Sequence, residues 1–412
     1  MKKLLFIFLL PLALYAQSFL ISNIPIPKSY IQNLDPYPCD ESCLKAYVSR
    51  GMIFSFLAHA DSKLNDRELD DIRMMSISIL NLGSFVQSSQ LKIALLLPYK
   101  RIGHYASSTT NASFAYLLSM GNPFELKSYK VDSEERADIE RALKEIQNDG
   151  FFYVIAPLTR EGALIMTQIN PRLNVYIPTV NKSDINTTST SLYFGGIDYK
   201  AQSDILLKEA TTPLVVFDDK STIGESLTYY QKERFSTLPP FLDALGSPIK
   251  KSFISISIPK RTTNLEAWLK DNQKINNASF MVNTPIVKTG MVLSQLTLYD
   301  ANVTNILSTQ INYDPLLLSM TQYQDRKKMV IANSITQENN IISESNALLS
   351  TDIVYDWINY STTIGIDLFY SHITGENRQY SIELLNNQIV YPIELIRPSI
   401  NRFIKYYSPS EE

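Results

Sequence analysis

Histidine, cysteine and glycine are scarce in this chain of 412 residues, with 3, 2 and 13 copies, and neither sign of charge is in marked excess. The histidines, His59, His104 and His372, stand far apart. None belongs to an H-E-x-x-H zinc pattern or neighbours a G-x-S-x-G nucleophile elbow, and there is no P-loop and no complete G-x-G-x-x-G. Paired carboxylates occur, as in any chain of this size, and spacing alone does not make them a general acid and base. Catalysis, a metal centre and a bound cofactor are therefore not expected. A net charge of −3 and a pI near 5.8, with lysine and arginine scattered, give no field for nucleic acid or anionic lipid. After the first residues, no run is long and apolar enough to span a membrane.

Residues 1–16 read as a secretory signal, with Lys2 and Lys3 as the basic start, Leu4 to Leu14 as the apolar core and Ala16-Gln17 as the cut. Eleven apolar residues cover about 16 Å as a helix, against a hydrocarbon core of about 30 Å. Cleavage and export to a periplasm are expected, with an uncleaved anchor as the alternative. In that oxidising compartment Cys39 and Cys43 read as a local disulfide; two free thiols one helical turn apart are the alternative. No histidine or second cysteine pair lies nearby to complete a metal site.

Residues 17–43 form a Pro-rich, extended arm. Residues 44–90 form a helical hairpin: Leu44 to Ala60 with Leu44, Tyr47, Val48, Phe54, Leu57 and Ala58 facing a core, then Arg67 to Leu82, then a polar linker from Gly83. From Leu91 the pattern changes to short apolar strands alternating with amphipathic helices. Strands are expected at Leu91–Leu97, Phe124–Val131, Phe151–Ala156 and Val175–Val180, with helices at Ser107–Ser119, Ser133–Asn148 and Glu161–Ile169 between them. Such alternation implies a parallel sheet covered on both faces, and runs such as Phe152 to Ala156 fit strands buried on both sides.

A second series follows residue 200. Strands are expected at Pro213–Asp218, Ser252–Ile258, Ala278–Asn283, Asn305–Gln310 and Lys328–Ala332, and helices at Gly224–Phe235, Asn264–Asn272 and Val287–Tyr299. A long helix from Asp352 to Tyr370 precedes a β-hairpin, Tyr380–Leu385 and Gln388–Pro392, turning at Asn386-Asn387. The first lobe is placed at about residues 91–198, the second at about 199–335, and the return helix and hairpin at 350–405. Parallel sheets of this kind bind ligands at the carboxyl ends of their strands.

Two doubly wound lobes joined near Gly195-Gly196, with a late hairpin, resemble the type I periplasmic-binding-protein fold over about residues 91 to 405. Gly365-Ile-Asp367, Gly375 and the hairpin, with Lys288-Thr-Gly290 to Tyr299 and Asp314-Pro315, are similar to the C-terminal domain of penicillin-binding-protein activators of the LpoA type. The resemblance implies an α/β, bilobed body of two doubly wound parallel sheets, here preceded by the short α-helical hairpin. It also implies export and action through protein contacts. Those activators carry a lipid-modified cysteine and a long helical-repeat domain, which the hairpin replaces here. Small-molecule-binding relatives use Gly-rich turns between strand and helix, whereas the first such turn here, from Pro98 to Ser107, contains Tyr99, Arg101 and Tyr105.

Tyr99, Ser107 and Ser108, with Thr109 and Thr110, stand near a helix start, where free N–H groups attract anions; ordinary capping is the alternative. Thr159 and Arg160 end the third strand at the turn that, in binding relatives, meets a ligand carboxylate; a helix cap and a solvated arginine are the alternative. Asp218 and Asp219 either face the same cleft or cap the next helix. Six Asn-x-Ser/Thr triplets occur, and those at Asn186 and Asn302 also carry an acid two residues earlier, a form that resembles the acceptor sites of bacterial oligosaccharyltransferases; ordinary exposed loops or helix ends are the alternative.

Two functional classes remain. One is a non-catalytic envelope protein that docks on a partner, such as a peptidoglycan synthase or a flagellar or other structural assembly. In it, the gap between lobes is expected to be narrow or filled by Tyr99, Arg101 and Tyr105. The other is a receptor closing on a small polar ligand. The bulky first turn, scarce glycine and added hairpin favour the first.

Overall fold

The computed structural model describes residues 39–60, 62–80, 91–242 and 245–407. The expected signal, most of the arm and the linker after Gly83 lie outside these residues. Three helices open the described chain: α1 (Glu41–Ser49), α2 (Ile53–His59) and α3 (Arg67–Ile79). Leu44, Phe56, Leu57, Ala60 and Leu69 form their own small core. The single helix expected over Leu44–Ala60 is instead two, because Gly51 takes φ +70° and turns the chain between them. Cys39 and Cys43 are joined by a disulfide, beside Asp40, whose carboxylate caps α1 by accepting from the Cys43 N–H at 2.9 Å.

The first lobe runs β1 (Leu91–Leu97), α4 (Tyr99–Ile102), α5 (Tyr105–Met120), β2 (Phe124–Lys130), α6 (Arg136–Asn148), β3 (Tyr153–Ile155), α7 (Arg160–Ile169), β4 (Asn174–Ile177) and β5 (Leu192–Phe194). The chain then crosses at residues 195–198. In the second lobe it forms α8 (Tyr199–Lys208), β6 (Leu214–Asp218), α9 (Thr222–Thr237), a small hairpin β7 (Phe241–Leu242) and β8 (Pro248–Ile249), β9 (Phe253–Ser257), α10 (Glu266–Leu269) and β10 (Ala278–Asn283). There follow α11 (Ile286–Leu298), β11 (Val303–Ser308), α12 (Leu316–Met320), α13 (Tyr323–Arg326) and β12 (Met329–Asn333). After a second crossing, α14 (Asn340–Leu348), α15 (Trp357–Thr374), β13 (Glu383–Leu385) and β14 (Gln388–Val390) return to the first lobe. A third crossing leads to β15 (Glu394–Pro398) and β16 (Phe403–Lys405) in the second.

Each lobe holds a seven-stranded sheet, in the orders β13-β14-β5-β4-β3-β1-β2 and β16-β15-β12-β11-β10-β6-β9. Both are parallel except at one margin, where β13 pairs antiparallel with β14, β15 with β12, and β16 with β15. Every residue of β10 is buried, and β1 is buried but for its half-exposed Lys92, because helices cover both faces. The helix expected over Asn264–Asn272 shrinks to the single turn α10: Asn264, two residues before it, accepts from the Glu266 N–H at 2.7 Å, and Asp271 adopts φ +54° just beyond its end.

Helix α15 is buried from Ile358 to Tyr370 and runs under the first sheet. A Cβ added to Gly365 would stand 2.3 Å from the Tyr176 ring, so glycine lets α15 meet β4. Asp367, fully buried, accepts from the Tyr116 hydroxyl at 2.7 Å and the Gln379 N–H at 2.7 Å, and pairs with Arg378 at 3.1 Å. The Gly-Ile-Asp triplet thus docks the helix and then ties it to α5 and to the chain leading into β13.

Candidate functional site in the cleft between the lobes

Three helices begin at the gap between the lobes: α7 from one side, α9 from the other, and α8 directly after the first crossing. A hollow of about 470 Å³ lies among their starts, lined by Arg160, Asp184, Asp198, Lys200, Thr222 and Ser226 among others. Helix starts attract anions because their first N–H groups lack partners within the helix. Here each has a side chain of its own: Thr159 accepts from the Gly162 N–H at 3.3 Å, Asp198 from Ala201 at 2.9 Å, and Ser221 from Gly224 at 3.1 Å.

The start of α7 holds more than its cap. Glu134, in the loop between β2 and α6, is 6 % exposed and turns its carboxylate onto this point. One oxygen accepts from the Thr159 N–H at 2.7 Å, the other from the Thr159 hydroxyl, and Arg101 stands 3.9 Å away. A Cβ on Gly162 would fall 2.6 Å from the Glu134 carboxyl carbon, so glycine leaves room for the acid. The chain's own carboxylate thus binds the cap residue of α7 through both of that residue's donors.

Of the residues expected to bind, Arg160 alone lines the hollow, where its Nε donates to the Asp184 carbonyl at 3.2 Å. Thr159 is taken up by Glu134. Ser107 and Ser108 lie in the first turn of α5, with their hydroxyls donated to the carbonyls of His104 and Tyr105. Tyr99 opens α4 with the Lys130 ammonium 5.4 Å from its ring. Asp218 is buried and accepts from the Lys220 N–H at 3.0 Å and the Ser257 hydroxyl at 2.9 Å, while Asp219 receives Ser221. Neither aspartate lines the hollow. The docking reading expects a gap that is narrow or filled by Tyr99, Arg101 and Tyr105; the gap instead holds this hollow, and none of the three lines it. Glu134 is the residue that sequence reasoning missed. It stands in Asp132-Ser133-Glu134-Glu135, which reads as the acidic start of a helix, and only the fold brings it to Thr159.

A second hollow, of about 740 Å³, opens beside the crossings and is lined by Lys182, Asn186, Thr188, Ser334, Gln388 and Tyr391 among others. Behind it the crossings are held by buried amides. Gln202 Nε2 donates to the Ser334 hydroxyl at 2.8 Å, its Oε1 receives the Gln310 N–H at 2.9 Å, and Asn181 donates to the Gly196 carbonyl at 3.0 Å. Among the described residues no group of three or more metal-ligating side chains comes together, and no helix is long and apolar enough to cross a membrane.

The architecture is that of the bilobed, type I periplasmic-binding-protein-like folds. The chain is similar to the branched-chain amino acid substrate-binding protein LivJ of Streptococcus pneumoniae, solved with isoleucine (10 % identity, 76 % of this chain, 97 % of that one, TM-score 0.53). A solute-binding protein of Rhodopseudomonas palustris, solved with 3,4-dihydroxybenzoic acid, is comparable (16 % identity, 74 % and 92 %, TM-score 0.52). So is the C-domain of LpoA from Haemophilus influenzae, a regulator of PBP1A (10 % identity, 77 % and 100 %, TM-score 0.50). No protein-family model and no curated protein matches the sequence. At these identities the likeness shows the fold alone, and that fold serves both solute binding and regulation through a protein.

Proposed function

We propose that this chain is a non-catalytic protein of the bacterial periplasm that acts by docking on an envelope protein, such as a peptidoglycan synthase or a structural assembly. The observation that carries the reading is Glu134 on Thr159. A receptor for a carboxylated solute needs the start of α7 free, and here that point is filled by a buried acid with two donors. The self-capped starts of α8 and α9 support the same reading, since no helix start around the hollow presents an unserved cap position. The helices α1–α3, with a core of their own, add a surface outside the two lobes. The competing reading, a solute receptor, is favoured by the hollow between the lobes and by Arg160 at its wall.

The test is capture from envelope extracts with the tagged full chain, after mild crosslinking. One stoichiometric envelope protein is expected with wild type and with Arg160→Ala alike, and its loss on deletion of residues 39–80. A partner lost with Arg160→Ala in a folded chain, or no partner at all, contradicts the proposal.

A further inference from the structure

The six Asn-x-Ser/Thr triplets differ sharply in what the fold leaves accessible. Asn181 is 7 % exposed, with its amide donated to the Gly196 carbonyl, and Asn359 is 3 % exposed inside α15, with its amide donated to Asp352. Asn111 lies within α5 and donates to Leu349, and the hydroxyl residue of its triplet, Ser113, is buried. The triplet of Asn277 ends in Ser279, buried in β10 and bonded to Thr211. These four also lack an acid two residues before the asparagine. The two triplets that have one, Asp184-Ile-Asn186-Thr-Thr188 and Asp300-Ala-Asn302-Val-Thr304, are the two with both the asparagine and the terminal threonine exposed. Sequence context and accessibility therefore select the same pair independently.

The pair separates further. Asn302 donates its amide to Asn277 Oδ1 at 2.8 Å, and the Thr304 hydroxyl donates to the Asn277 carbonyl at 2.8 Å, at the start of β11. Both groups that an acceptor must offer are occupied. Asn186 lies in the irregular segment between Asp184 and β5, and Ile185 before it is extended (φ −137°, ψ 121°). Asp184 pairs with Lys200 at 3.0 Å, but both are 42 % exposed, and such a surface pair contributes little.

We propose that Asn186 is an acceptor for an N-linked glycan on the folded protein, with a lipid-linked oligosaccharide as donor. In the transfer, Asn186 Nδ2 forms a bond to the anomeric carbon of the first sugar and gives up one proton. The bond from that carbon to the lipid pyrophosphate breaks, and the pyrophosphate leaves with the electron pair. The glycan would stand at the rim of the hollow beside the crossings, which Asn186 and Thr188 line. A bulky, solvated group there keeps protein partners off that face, so docking falls to other surfaces.

The test uses the purified, folded full chain with a bacterial oligosaccharyltransferase and its lipid-linked oligosaccharide, read by intact mass; it depends neither on export nor on the identity of a partner. A gain of one glycan mass is expected, retained in Asn302→Gln and lost in both Asn186→Gln and Thr188→Ala. A peptide of residues 182–190 should also be modified. No mass gain on the folded chain while the peptide is modified overturns the proposal, as does a gain that survives Asn186→Gln.

Discussion

Glu134 holds Thr159 at two points, accepting from its backbone N–H at 2.7 Å and from its hydroxyl. The hydroxyl oxygen in turn accepts from the Gly162 N–H at 3.3 Å, so one carboxylate completes the cap of α7 from another loop. Hydrogen bonds to charged groups contribute about 1.5–3 kcal/mol. Glu134→Ala should lower unfolding stability by about that amount in urea titration. Gly162→Ala should have a similar effect, because its methyl group displaces the acid rather than backbone. Stability unchanged in both variants would show that the acid does not hold the turn.

Gly365 should tolerate no side chain. A methyl group 2.3 Å from two carbons of the buried Tyr176 ring forces α15 away from β4. Overpacking of this kind costs about 1–3 kcal/mol, and Gly365→Ala is expected at or above the upper end. A urea midpoint within error of wild type would contradict the packing.

Asp367→Ala removes the buried partner of Arg378 and leaves Tyr116 and Gln379 without their acceptor. Breaking a buried pair from one side costs about 3–5 kcal/mol. The variant should melt well below wild type, and a loss under 1 kcal/mol would contradict this arrangement.

Asp356 caps α15, accepting from Ile358 at 2.9 Å and Asn359 at 3.1 Å, and burial pushes its pKa above the ordinary carboxylate value. For an acid raised in the folded state, the unfolded chain loses its proton first as pH climbs. Stability from this group is then fully present below the unfolded value near 3.8 and declines as pH rises through the folded one. Asparagine caps a helix as well as aspartate does and carries no charge. Asp356→Asn should therefore melt higher than wild type at pH 7, with the advantage gone at pH 3. Equal melting at both pH values, or a loss at pH 7, would contradict it.

The lobes were legible in the sequence because their strands are buried on both faces. Ala278–Asn283 reads as one apolar run and forms β10 over the same residues. The amphipathic stretch to Asn148 reads as a helix because Ile139, Ala142, Leu143 and Ile146 recur at helical spacing and face the core in α6. The short strand Leu192–Phe194 and the final pair β15 and β16 carried no such signal; their places come from pairing with neighbouring strands in the sheet. The candidate site was less legible. Thr159 and Arg160 were found at a strand end, but Glu134 lies 25 residues before Thr159 and shows only as one acid in an acidic run. Ser107 and Ser108 look the same in sequence whether their hydroxyls face a ligand or their own helix, and here they bond to the helix.

The central claim is that the start of α7 is occupied by the chain itself. Its most direct test is a thermal-shift titration of wild type and Glu134→Ala with a panel of amino acids, dicarboxylates and aromatic carboxylates. A ligand at 100 times its dissociation constant adds about 2.7 kcal/mol of stability. No compound should raise the melting temperature of wild type, whereas small carboxylates should raise that of Glu134→Ala at millimolar concentration. Stabilisation of wild type by a carboxylate at micromolar concentration, abolished by Arg160→Ala, would contradict the account and make the chain a solute receptor.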